Sequence, residues 1–175
     1  MWKFPAAAAV AALSAAAPLQ AMAAPPPPSC KDTPAYHAQD FALGKWDVWA
    51  GDTLIARVYI EPVLNGCALH EVWTPVNDAP GKGQGLFVFS RAEGQWHYLW
   101  AADTGTASTF KGRPAGAGKM QYTTSVPAGE GAVRLRRWSL EALPGGRLRE
   151  RSTGSLDGGA TWQSEYDLMW ARSGT

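Results

Sequence analysis

With 16 Lys and Arg against 15 Asp and Glu in 175 residues, this chain is nearly neutral. Its basic residues are scattered, apart from Arg134-Leu135-Arg136-Arg137 and a run at 147–151. No phosphate-tracking stripe results, so nucleic acid is excluded as the expected partner.

The first residues read as an address rather than as fold. Lys3 supplies a positive start, residues 6–17 are apolar, and Pro18 breaks the run. Ala21-Met22-Ala23 then fits the small-x-small cleavage rule. Residues 1–23 are therefore expected to be a signal peptide, too short in its apolar part to span a bilayer, and the product is expected in the periplasm or secreted. Residues 24–40 read as a Pro-rich tether, since Pro25 to Pro28 fix φ and offer no sheet donor. Beyond Pro28 about 145 residues remain, enough for one domain with one core.

Ten strands are expected in chain order: 41–49, 54–61, 67–74, 85–90, 95–102, 106–111, 119–125, 132–140, 147–153 and 161–171. Asn65-Gly66, Glu93-Gly94, Gly112-Arg113-Pro114, Pro127-Ala128-Gly129 and Pro144-Gly145-Gly146 read as the turns between them. Residues 34–39 allow one helical turn before the first strand. Short connections favour an up-and-down meander, and ten strands favour closure over an exposed edge. The expected fold is all-β, an antiparallel up-and-down barrel of about ten strands over 41–172.

Alternation along each strand says which side chains share a face. Cys67, Leu69, Glu71 and Trp73 form one face of the third strand, with Ala68, His70, Val72 and Thr74 opposite. Trp96, Tyr98 and Trp100 share a face of the fifth, and Trp162, Tyr166, Leu168 and Trp170 a face of the last.

The two cysteines, Cys30 and Cys67, are an isolated even pair in a chain read as exported. They are expected to form a disulfide rather than a metal site. The closed loop of roughly 37 residues would contribute about 3–4 kcal/mol in the chain-entropy model.

Gly44-Lys45-Trp46 resembles the Gly-x-Trp signature of calycin barrels, the lipocalin and fatty-acid-binding-protein group, in which the indole plugs one end. The wider pattern Phe41-x-x-Gly44-x-Trp46-x-Val48, Gly66-Cys67-x-Leu69-x-Glu71-x-Trp73, Trp96-x-x-x-Trp100-x-x-Asp103 and Ser155-x-Asp157-Gly158-Gly159-x-Thr161-Trp162 is similar to a family of bacterial exported proteins of unknown function with calycin-like barrels. The resemblance covers 41–172 and implies the fold; it brings no catalytic residues with it. The chain lacks the Gly-rich extension of the haem-binding relatives, so haem is not expected and no other cofactor is implied.

The segment from Ser155 to Trp162 also matches the Asp-box pattern, and its residues suit a structural hairpin turn. His37, His70 and His97 stand at no metal-ligand spacing, and no nucleophile motif accompanies them. Glu71 is the notable charge: facing inward with Leu69 and Trp73, it would have a raised pKa unless paired, with Arg136 or Arg149 as candidate partners. The aromatic faces suit an apolar or ring-bearing ligand. The reading is thus a small-molecule binder in which Trp73, Tyr98, Trp100 and Tyr122 form walls, Glu71 anchors and Trp46 plugs. An envelope isomerase or hydrolase using Glu71 is the alternative from another class. A scaffold acting through its loops, chiefly residues 75–83, is the third.

Overall fold

The computed structural model describes residues 29–174; the signal peptide read over 1–23 and the prolines at 25–28 lie outside them. Ten antiparallel strands close into an up-and-down barrel in which each strand pairs with its chain neighbours and the first pairs with the last. They are β1 (Gly44–Ala50), β2 (Thr53–Val63), β3 (Ala68–Pro75), β4 (Gly83–Ser90), β5 (Gln95–Ala102), β6 (Ala107–Gly116), β7 (Lys119–Pro127), β8 (Val133–Leu143), β9 (Arg147–Ser155) and β10 (Gln163–Arg172). The architecture is consistent with a calycin-like fold. Closure leaves no unpaired edge along β1 and β10, where register runs from Trp46↔Arg172 to Trp49↔Met169.

One end is sealed. Three short 3-10 turns, Cys30–Asp32, Pro34–His37 and Asp40–Ala42, carry the chain across it before β1 begins. Tyr36 packs its ring edge on Phe89, and Trp46 Nε1 donates to Ala42 O at 2.8 Å. Gln39, fully buried, accepts a hydrogen bond from the Tyr122 hydroxyl. A disulfide joins Cys30 to Cys67 at the β2–β3 turn, as the cysteine pair leads one to expect. The Arg172 guanidinium lies 3.8 Å over the Trp46 ring, and its Nη1 donates to Leu43 O at 2.6 Å. A Cβ on Gly44, already at φ +113°, would collide with that guanidinium, which is the physical reason for glycine two residues before the plug tryptophan.

The lower half of the barrel is filled solid by Trp46, Val48, Ile60, Leu69, Phe87, Trp96, Met120, Tyr122, Leu140, Leu148 and Trp170, all at most 2% exposed. Further up, the filling gives way to a hollow.

Four details differ from the sequence reading. Residues 40–42 form a 3-10 turn, so β1 starts at Gly44 rather than 41. Cys67 caps the preceding turn and β3 starts at Ala68. Gly112-Arg113-Pro114 is not a turn: β6 runs through it to Gly116, with an irregularity between Pro114 and Gly116 that tolerates the missing donor. Trp162 does not share the inner face of β10. That strand begins at Gln163 and carries a bulge at Glu165, between Ser164↔Thr153 and Tyr166↔Ser152. One extra residue reverses the facing of everything before it. Trp162 thus lies outside, under the Arg137 guanidinium at 4.0 Å.

Candidate functional site

The upper half of the barrel holds a cavity of about 450 Å³, within the range that accommodates drug-sized molecules. Its aromatic walls are Trp73, Tyr98, Trp100, Phe110, Trp138 and Tyr166, and Ile55, Leu168, Thr106 and Ser108 complete the sides and rim. Ile55 belongs here because β2 bulges opposite Val48 and Trp49, which turns an extra side chain inward. Trp73 and Trp100 meet edge to face at 6.5 Å. Tyr98 lies nearly parallel to both Phe87 at 4.2 Å and Trp138 at 5.2 Å.

Two carboxyl groups face this hollow. Glu71 on β3 is 3% exposed, and its Oε2 accepts from the Tyr98 hydroxyl at 2.7 Å. Burial pushes its carboxyl up to about 8; the Tyr98 hydrogen bond opposes the shift and the Glu150 carboxyl reinforces it. Burial likewise raises the Tyr98 hydroxyl, with the neighbouring Glu71 adding to it. Glu150 on β9 accepts at Oε1 from Trp138 Nε1 at 2.5 Å and from the Tyr166 hydroxyl at 2.9 Å, and at Oε2 from Trp170 Nε1 at 3.0 Å. Burial raises its carboxyl too, against those three donors.

The mouth is held by an ion cluster. Glu165, projected by the β10 bulge, takes Arg134 Nη2 at 2.7 Å, Arg136 Nε at 2.9 Å and the Ser152 hydroxyl at 2.6 Å. Burial pushes the Glu165 carboxyl up, but those donors together hold it below its ordinary value. Gly154 makes room for the cluster: a Cβ there would lie 2.7 Å from Arg134 and 2.8 Å from Glu165. Arg136 therefore pairs with Glu165 and not with Glu71, and Arg149 pairs outside the barrel with Asp167.

Of the six side chains read as ligand-binding, Glu71, Trp73, Tyr98 and Trp100 come together around the cavity. Trp46 and Tyr122 sit in the filled half, Trp46 at the sealed end and Tyr122 over Gly112 with its hydroxyl on Gln39. Glu150, Trp138, Phe110 and Tyr166 also line the cavity and stand outside those six. The signal for Glu150 was present in Arg147-Leu148-Arg149-Glu150-Arg151-Ser152, where the alternation places Glu150 on the face of Leu148.

The remaining motifs are structural. Asp157 accepts from Thr161 N at 2.9 Å, Thr161 Oγ1 at 2.6 Å and Ser155 Oγ at 2.7 Å, which holds its carboxyl far below the usual range. The three histidines stand apart: His37 bonds Asp40 on the plug, His70 bonds Gln84 on the outer face, and His97 lies by Glu93. Among the described residues no group of three or more His, Cys, Asp and Glu could hold a metal ion.

Glycine opposite Glu71 makes the pair with Tyr98 possible. Gly85 is the register partner of Glu71, and a Cβ there would lie 2.5 Å from the Tyr98 ring and 2.6 Å from Glu71 Oε2. Tyr98 is pinned in its stack and cannot yield freely. Gly85→Ala is expected to cost about 1–3 kcal/mol in urea unfolding, as overpacking does. A loss under about 0.5 kcal/mol would mean that the wall accommodates the methyl group.

Compared with models of known protein families, the chain matches none, and a search of curated proteins finds no relative.

Proposed function

We propose that this protein is an exported calycin-like barrel, of the bacterial family it resembles, that binds a small, largely apolar or aromatic molecule in its upper chamber. The observation that carries this reading is the hollow itself. A barrel built for stability alone would fill both halves, yet here six aromatic walls enclose about 450 Å³. The Cys30–Cys67 disulfide fits an oxidising compartment, and among the described residues no helix is long and apolar enough to cross a membrane.

Two measurements test the reading. Native mass spectrometry of the protein exported by its own kind of cell is expected to show an adduct of a few hundred daltons. Nile red, a neutral polarity-sensitive dye, is expected to bind saturably. Trp100→Ala should weaken the dye about five- to fiftyfold, the loss of one aromatic wall, while Trp162→Ala, outside the barrel, should leave it unchanged. An apo mass together with no saturable dye binding would defeat the proposal.

The second reading is an envelope isomerase or hydrolase, favoured by a buried carboxyl that titrates near neutrality beside a hollow. His70, on the opposite face, is no partner for Glu71. The mark of this reading would be a bound molecule whose mass changes on incubation, with the change lost in Glu71→Gln.

A further inference from the structure

The chamber has a chemical bias that its aromatic walls alone do not convey. Three carboxyl groups, Glu71, Glu150 and Glu165, stand at the chamber or its mouth against two guanidinium groups, Arg134 and Arg136. Both guanidinium groups are committed to Glu165. Glu150 is met on both oxygens by neutral donors from Trp138, Tyr166 and Trp170. Glu71 receives one hydrogen bond, from Tyr98 to Oε2. Among the described residues no Lys or Arg pairs with it, which leaves Oε1 to the hollow. A carboxylate at 3% exposure without a counter-ion is costly to hold.

The ligand can supply what the protein omits. A neutral apolar molecule would leave Glu71 unmet, and an anion would face two carboxyl groups with no uncommitted cation in the lining. A cation would meet a carboxylate on one side and indole side chains on the others, the surroundings in which a desolvated ammonium is best held. Resting on the binding reading above, we propose that the ligand is an organic cation: an aromatic or apolar body with one protonated amine, seated against Glu71 and boxed by Trp73, Trp100 and Trp138.

A pH signature follows from the groups around Glu71. Facing it are Tyr98 from β5, Tyr122 from β7 and Glu150 from β9, with Arg136 from β8 and Tyr166 from β10 lining the same chamber. Burial raises all three tyrosine hydroxyls, so they stay neutral over the working range, and Arg136 stays with Glu165. Burial holds the empty Glu71 carboxyl protonated up to about pH 8, with Glu150 reinforcing it. An ammonium group entering at pH 6–7 would displace that proton, so affinity should rise about tenfold for each pH unit until Glu71 ionises unaided.

Three probes sharing one ring system decide the matter: tryptamine (cationic), tryptophol (neutral) and indole-3-acetate (anionic), titrated by calorimetry into the whole protein. At pH 7.5 tryptamine is expected to bind at least about ten times tighter than tryptophol, with indole-3-acetate weakest. Glu71→Gln should bring tryptamine and tryptophol within about threefold of each other, mainly by weakening tryptamine. In the wild type, tryptamine affinity should climb about tenfold from pH 6 to 7. Tryptophol or indole-3-acetate binding as tightly as tryptamine, or a tryptamine preference that survives Glu71→Gln, would overturn the inference. Nile red run in parallel separates the two levels. Dye binding without a tryptamine preference removes the cation and keeps the binder; no binding of dye or of any indole removes both.

Discussion

Glu71→Gln is expected to make the protein more stable at pH 9 and to leave it nearly unchanged at pH 5. The folded carboxyl titrates near 8, against 4.5 for an unperturbed glutamate. Between those values the folded protein binds a proton that the unfolded chain has released, so stability falls as pH rises across the window. By pH 9 the wild type carries the full cost of an ionised, buried carboxylate, on the order of 3–5 kcal/mol. Gln cannot ionise, keeps the acceptor for Tyr98 and occupies the same space, so the variant avoids that cost. Glu150 also has a raised carboxyl and produces a slope of the same sign, but it is common to both proteins. So is His37, whose ring is raised by its Asp40 hydrogen bond and whose contribution is lost as pH rises through its folded value. The lowered groups Glu93, Glu141, Asp157, Glu165 and Asp167 act below about pH 5, where protonation removes their pairing. Urea unfolding of both proteins at pH 5, 7 and 9 isolates the Glu71 contribution as a difference that widens with pH. A constant difference would mean that Glu71 is not the buried, protonated group described.

Much of this arrangement was legible because strand alternation is a strict period. On β3 and β5 it places Leu69, Glu71, Trp73, Trp96, Tyr98 and Trp100 inside, and the structure brings them there. The ten-strand meander was legible for a related reason: nearly every turn is announced by Gly, Pro or Asn. What alternation cannot announce is a bulge. Ile55 and Glu165 are each one residue inserted into an otherwise regular ladder, and nothing in Thr53-Leu54-Ile55-Ala56 or Ser164-Glu165-Tyr166 marks them. Yet the first supplies a wall and the second positions the Arg134–Glu165–Arg136 cluster, while also sending Trp162 outside.

Depth along the axis was likewise invisible. Tyr122 and Trp46 face inward as alternation requires, but whether an inward residue meets the filled half or the hollow depends on its height in the barrel. Height follows from the stagger between strands and from which end the plug covers. The glycines carry the same lesson. Gly83 reads as the end of a loop and Gly85 as a strand beginning; in the structure they are the spaces into which the Trp100 ring and the Tyr98–Glu71 pair fit. A missing side chain says that something approaches closely without saying what does.

Replacing both Cys30 and Cys67 with Ser is expected to lower stability by about 3–4 kcal/mol, the chain-entropy value for the 37-residue separation that the disulfide closes. The loss should be unevenly distributed. The ten-strand ladder is hydrogen-bonded throughout without the disulfide, whereas the Cys30–Ala42 segment is three isolated 3-10 turns, a conformation too short to persist alone. Besides the disulfide, that segment is held by Tyr36 on Phe89, Gln39 on Tyr122 and the Ala42 carbonyl on Trp46. Release should therefore loosen the plug first. Trp46 Nε1–H exchange should accelerate and limited proteolysis should cut between residues 30 and 44, well below the denaturant concentration that melts the barrel. Nile red binding in the chamber at the other end should persist through this local opening, because Phe89, Tyr122 and Trp46, the residues that hold the plug, are not chamber walls. If dye binding and Trp46 exchange are instead lost together, the filled lower half transmits the sealed end to the chamber, and the plug is part of the site's support.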